Sequence, residues 1–237
     1  PRGWWLPVPA GATVTTVYPD PDPETATVDG RVTRNTGTND TWASIRDGAG
    51  TGNTSAAEPI GVATIDAGTA ADTYSQLARG IFVFDLSSVS DTDSKDSAIL
   101  SLFGVAGGHT NGLTSVMDLN IVSASPASNT DLVNADFNVA NFGSTVFSTA
   151  ITQTNWSQTA YNNYTLNANG LANISLTTVS KFGARDQNSD INNTAAGGPF
   201  DGSRDQMVCN AAEATGTAND PKLALTHTAG VAAFTPR

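Results

Sequence analysis

Only one cysteine, Cys209, occurs in the 237 residues, which excludes an internal disulfide framework and any multi-cysteine zinc site. There are only two histidines, His109 and His227, so little material exists for imidazole catalysis. Lys and Arg together number 11 against 22 Asp and Glu, a net charge of −11. That balance argues against nucleic-acid recognition, which needs clustered cations to meet phosphates. The longest apolar runs, such as 98–105, fall far short of the ~20 residues of a membrane span, so no membrane partner is expected. Glutamate occurs only at Glu24, Glu58 and Glu213, and lysine only at Lys95, Lys181 and Lys222. Few windows therefore carry helix formers at helical spacing.

What is present is Asp, Asn, Gly, Ser and Thr, residues of turns and strand faces. Apolar residues at 39% suffice for a core, while charged residues at 14% leave a surface of hydroxyl, amide and glycine. The composition predicts an all-β, acidic, neutral-polar protein and leaves most enzyme classes without their chemistry.

The chain opens PRGWWLPVPA, without the basic stretch, apolar core and small-residue cleavage site of a secretory signal. Either a signal was removed earlier, or an initiator methionine was lost before Pro1; the second reading is preferred. A chain made in a host cytoplasm yet Thr- and Asn-rich and Lys-poor suits a virion-surface component released by lysis, with a secreted protein as the alternative. Three prolines in residues 1–11 deny the segment a full strand ladder, which predicts an extended arm. Its Trp4, Trp5 and Leu6 need burial, either over an end of their own domain or as partner-binding anchors on a neighbouring subunit.

Strand-like segments follow, separated by turn signals. ATVTTVY, TATVDGRVTR with a hairpin turn at Asp29-Gly30, TWASIRDG alternating around Trp42 and Ile45, IGVATID and ARGIFVFDLSS come first. SAILSLFGV, SVMDLNIVSAS, YNNYTLNANGLANI, VSKFGARD, SRDQMVCNAAEA and PKLALTHT complete the set, and DLVNADFNVANF could hold one short helix. Ten or more short strands without intervening helices predict a single antiparallel β-sandwich over residues 12–228, between the arm at 1–11 and a tail at 229–237.

Several segments together resemble a known family. RGIFVFDLSSVSDTDSKDSAILSLFG (79–104) is similar to the central block of DNRLRE-type β-sandwich domains, a strand ending F-x-F-D-L, a short loop, then S-A-x-L-x-L. YPDPDPETATVDGRV and TWASIRDGAGT resemble the opening block of phage-associated and environmental relatives. FGARDQNSDINN with TGTANDPKLALTHT resembles the closing block. The resemblance spans about residues 12–228 and implies a jelly-roll-like sandwich of extracellular, surface and virion-associated proteins, with no conserved catalytic machinery.

Candidate chemistry is sparse. Asp186, Asn188 and Asp190 alternate like the start of a calcium loop, but Ile191 and Gly197 stand where that loop needs glycine and a closing acid. A turn that satisfies its own backbone is the preferred reading, and calcium the only cofactor weighed. Asp20, Asp22 and Glu24 alternate with prolines that should splay them apart. Gly-rich 47–54 has neither the lysine nor the following helix of a phosphate loop. Neither histidine has a serine or cysteine motif beside it. Paired carboxylates for glycoside hydrolysis leave no trace in spacing. Trp42, Trp156 and Tyr161 could stack on sugar rings, with core packing as the plainer reading. The sequence thus predicts a non-enzymatic bacteriophage structural protein, a capsid decoration or head or tail appendage, assembling with itself or other virion subunits. The alternative is a carbohydrate-binding module that adheres to surface glycans.

Overall fold

The structure is a computed structural model that describes residues 11–213 and 216–230, so the Trp4, Trp5 and Leu6 arm and most of the tail lie outside the described residues. Strands take 41% of the residues against 12% in helices, and the mostly antiparallel sheets make the all-β sandwich that the composition predicts. The strands are β1 (Thr13–Val17), β2 (Asp29–Asp40), β3 (Gly52–Thr54), β4 (Ile60–Ala67), β5 (Tyr74–Asp85), β6 (Ser94–Phe103), β7 (Thr110–Asn111), β8 (Asp118–Ser123), β9 (Ile151–Thr152), β10 (Tyr161–Thr165), β11 (Val179–Asp186), β12 (Arg204–Cys209) and β13 (Lys222–Thr228). Two short helices, α1 (Trp42–Asp47) and α2 (Ala168–Asn173), interrupt them.

Four strands form one sheet in the order β1-β13-β6-β10. Nine form the other, in the order β7-β12-β4-β5-β11-β8-β9, with β2 on β5 and β3 on β2. Leu100, Leu102, Leu223 and Leu225 of the smaller sheet join Ile81, Phe82, Phe84 and Phe182 of the larger in one apolar cluster. Phe182 is the hinge of that packing, with Phe84 and Phe147 edge-on at centroid distances of 6.1 and 6.2 Å.

The larger sheet forks at β5. Arg79 pairs with Val32 of β2 and Ala63 of β4, whereas Gly80 pairs with Arg31 of β2 and Ala184 of β11. One edge of β5 thus stays with β2 while the other passes from β4 to β11 between these two residues. Glycine suits the changeover, because a Cβ on Gly80 would stand 2.6 Å from Val62 Cγ2.

Four sequence expectations fail locally. TWASIRDG is not a strand but α1: Trp42 and Ile45, three apart, share one helical face, and Thr41 Oγ1 caps the turn by accepting from Ser44 N at 3.2 Å. Asp29-Gly30 is not a hairpin turn but the start of β2, where Gly30 takes φ +155° and meets the incoming β3. DLVNADFNVANF holds two 3₁₀ turns instead of one helix, Asn134–Phe137 and Val139–Asn141, divided at Asn138, whose side chain accepts from Ala140 N. In YNNYTLNANGLANI the strand ends at Thr165, and Asn167 caps α2 by accepting from Asn169 and Gly170 N–H groups.

Candidate functional site

Asp186 closes β11 and starts a wide turn, Gln187–Ile191. Its carboxylate accepts from Ser189 N at 2.7 Å and Asp118 N at 2.8 Å, so it caps the turn. Asn188 Nδ2 donates to Val116 O. Asp190 lies between two buried guanidiniums. Arg79 Nε and Nη2 each donate at 2.7 Å, and Arg185 Nε and Nη2 each at 2.8 Å, to its two oxygens. Arg46 Nε adds a bond to the Asp190 carbonyl at 2.9 Å. Arginines thus take both Asp190 oxygens and main-chain N–H groups take those of Asp186, an arrangement that suits the preferred reading of a self-satisfied turn over calcium. Burial opposes ionisation of Asp190, but Arg79 and Arg185 outweigh it and hold the carboxyl well below its ordinary range. Asp186 is pushed up to about 6, by burial above all. The remaining guanidinium donors reach main-chain oxygens of Phe137, Arg46 and Gly143, and Phe137's ring lies 4.2 Å from Arg79 Cζ. The assembly stands at the β5 fork and ties β5, β11, α1 and the 134–143 loop together.

The aromatic candidates do not form a stacking platform. Trp42 is buried edge-on against Tyr74 at 5.0 Å, and Trp156 is buried in the core. Tyr161 is half-buried: Phe103 meets it edge-on, Lys222 Nζ sits 3.6 Å from its ring centroid, and its hydroxyl donates to Ala218 O and Asp220 O. Every aromatic ring among the described residues is buried or half-buried.

Two arrangements escape sequence reasoning. His227 Nδ1 is 2.7 Å from Asp93 Oδ2, and its Nε2 is 2.9 Å from Thr15 Oγ1. Hydroxyl, imidazole and carboxylate stand in the order that activates nucleophiles. Here, however, Thr15 sits within β1, and the relay joins β1, β13 and the β5–β6 loop at the sandwich rim. A cavity of about 200 Å³ lies elsewhere, lined by uncharged residues including Gly37, Asn39, Thr69 and Ser75.

The second arrangement gathers all three glutamates. Glu58 Oε2 accepts from Ala211 N at 2.8 Å, and Glu213 Oε2 from Asp22 N at 2.9 Å. Buried Asp29 shares one long contact of 3.3 Å from Ala212 N between its two oxygens. Glu24 and Asp22 act on Glu213, and Asp220 on Glu58 and Asp29. Prolines do not splay the 20–24 segment: Asp20 Oδ2 gathers the N–H groups of Thr25, Ala26 and Thr27, folding it into a turn. Burial first, and mutual repulsion after it, raises Asp29 well above its ordinary value, Glu58 to about 7 and Asp220 to about 6.

These groups bind protons more tightly folded than unfolded, so their stabilisation is complete below about pH 4 and is lost as pH rises through 6 to 7. Asp190 works oppositely: its contribution is complete above about pH 4 and falls in stronger acid. The melting temperature should therefore peak near about pH 4–5 and decline towards pH 8. A thermal-denaturation series that rises from pH 5 to 8 would contradict this.

No protein-family model matches the chain, and no curated protein matches it.

Proposed function

We propose that this protein is a non-enzymatic structural subunit of a bacteriophage particle, a DNRLRE-type sandwich that decorates a capsid or forms part of a head or tail appendage. The observation that carries this reading is the outer face of the smaller sheet. Its cross-strand rows Val14–Thr226–Ser97 and Thr16–Ala224–Ile99–Thr165 hold no charge. Val14 is 62% exposed there, and Ile99 is exposed as well. On a chain of net charge −11, these rows are where another subunit can approach without like-charge repulsion. The arm leads directly into β1, the edge strand of that sheet. Burial of Trp42 and Trp156 weighs against the glycan-binding alternative, which needs exposed rings.

Assembly works through the arm. Two tryptophans bury about 150–250 Å² each, worth roughly 8–12 kcal/mol at ~25 cal/mol/Å². Ordering ten residues costs a comparable amount, about 1–2 kcal/mol each, so the arm holds only in a formed pocket. That pocket belongs to a neighbouring subunit in this reading. Deleting residues 1–11 should leave the β-type circular dichroism and the melting temperature essentially unchanged while abolishing oligomers or incorporation into particles. A truncated protein that still assembles would refute the reading and favour glycan binding, which a glycan array would then test.

A further inference from the structure

Between Asn35 and Asp40 the β2–β5 register breaks, and residues 36–39 leave the ladder as a bow around Gly37, whose φ is +63°. The β4–β5 turn and the approach to β12 are tied together beside it: Gly202 N donates to Gly68 O at 3.1 Å, and Ala67 N to Ser203 O at 2.9 Å. These three connections line the cavity of about 200 Å³, with Ala67 and Gly68 buried at its floor and Gly37, Asn39, Thr69 and Gly202 exposed at its mouth.

The polar side chains of the cavity are fixed by the fold and keep bonding capacity to spare. Asn39 Oδ1 accepts from Thr69 N at 2.6 Å and from Thr73 Oγ1 at 3.1 Å, while Nδ2 donates to Thr69 Oγ1 at 3.2 Å. An amide nitrogen carries a second hydrogen, which these contacts leave over. Ser75 Oγ donates to Ala67 O across a long 3.4 Å, a contact that uses none of its lone pairs. A Cβ on Gly68 would stand 2.3 Å from both Asn39 Oδ1 and Thr73 Oγ1, so glycine is what lets the amide sit there.

The cavity has the space of about six or seven waters at ~30 Å³ each, less than the ~300 Å³ at which drug-sized sites begin. None of its described lining residues is charged, so an ion would enter without a counter-charge. None is aromatic or a large aliphatic, so an apolar molecule would find no wall to cover it. Hydroxyl, amide and glycine suit a small neutral ligand rich in hydroxyls, each of which both donates and accepts. We propose that this cavity binds one neutral sugar ring, a free hexose or a hexose at the end of a polysaccharide, through Asn39, Thr69 and Ser75. Trp42 and Trp156 are buried and lend it no stacking face. Hydrogen bonds therefore carry the affinity, at a Kd of about 1–10 mM for a ligand of about a dozen non-hydrogen atoms. That is too weak for an adhesion module working alone, and sufficient for a subunit displayed in many copies, where multivalency raises avidity. Residues of one chain form the site, which therefore goes beyond the assembly reading and stands or falls apart from it.

Amide chemical shifts of the full chain, titrated to about 100 mM with the methyl glycosides of glucose, galactose and mannose, test the site. At least one glycoside should shift the amides of Gly37, Asn39, Gly68, Thr69 and Gly202 saturably, with a Kd of about 1–10 mM. Glucuronate, the same ring as glucose with a carboxylate, should bind about tenfold more weakly to a chain of net charge −11. Thr69→Val and Ser75→Ala each remove one hydroxyl and should weaken binding about three- to tenfold with the melting temperature unchanged. A polysaccharide that ends in the preferred hexose separates the two sources: it shifts the same amides if a chain end enters, and leaves them to the free glycoside if the cavity takes a lone sugar. Absence of saturable shifts with all three glycosides would overturn the site, as would saturable shifts confined to other residues or undiminished binding by both variants. Glucuronate binding as tightly as the neutral glycosides would overturn it too, since the cavity would then not select for neutrality.

Discussion

Asp190→Ala should lower the melting temperature by about 10 °C, the largest effect of any single side-chain truncation in this chain. The loss would leave the Arg79 and Arg185 guanidiniums buried with no counter-charge between them. Breaking a buried ion pair from one side costs about 3–5 kcal/mol, and at this chain length each kcal/mol moves the midpoint by about 2–4 °C. Asp190→Asn should cost nearly as much, because an amide keeps the shape and removes the charge. Replacing Arg79, Asp190 and Arg185 together by apolar residues should recover much of the loss, since nothing charged is then stranded. Thermal denaturation at pH 7 checks this; a loss below about 1 kcal/mol for Asp190→Ala would show that water reaches the guanidiniums.

Gly30→Val should rank next, at about 3 kcal/mol. Gly30 takes a φ of +155°, and a Cβ there would stand 2.1 Å from Thr54 O and 2.9 Å from Leu132 Cδ1. The first contact is with backbone, which cannot rotate away. Separation of β3 from β2 is the expected response, read as lost amide protection at residues 52–54 together with a lower urea midpoint. Gly37→Ala is the control: it has positive φ but open space around its Cβ, so it should cost no more than about 1 kcal/mol. Equal losses at the two positions would make backbone conformation, and not close approach, the cause.

Strands such as 79–85 and 222–228 are legible in the sequence because their signal is local: a run of apolar or alternating residues between turn formers. Helices of six residues are not, since one and a half turns give the 3.6-residue period no room to show. Gly30 is legible as unusual, but a glycine after aspartate reads equally as a turn and as a close approach between strands. The alternating Asp186, Asn188 and Asp190 read as cation ligands, yet what they meet is decided by Arg79, 111 residues from Asp190. His227 finds Thr15 across 212 residues, which no spacing rule detects. The scarcity of glutamate is plain from composition; that all three glutamates converge is a property of the folded chain alone.

The ladder between β1 and β13 has a consequence for biosynthesis. Among the described residues Thr13–Val17 pairs only with Leu223–His227, so the first described strand made waits for the last. At roughly 5–20 residues per second, that wait is roughly 10–40 s on the ribosome. Throughout it β6 can pair with β10 but not with β13, and β1 has no ladder at all. Closure of the smaller sheet thus cannot precede the synthesis of β13, and any chain released before residue 222 carries two open strand edges. Such products offer chaperones and proteases an immediate mark that the finished protein hides.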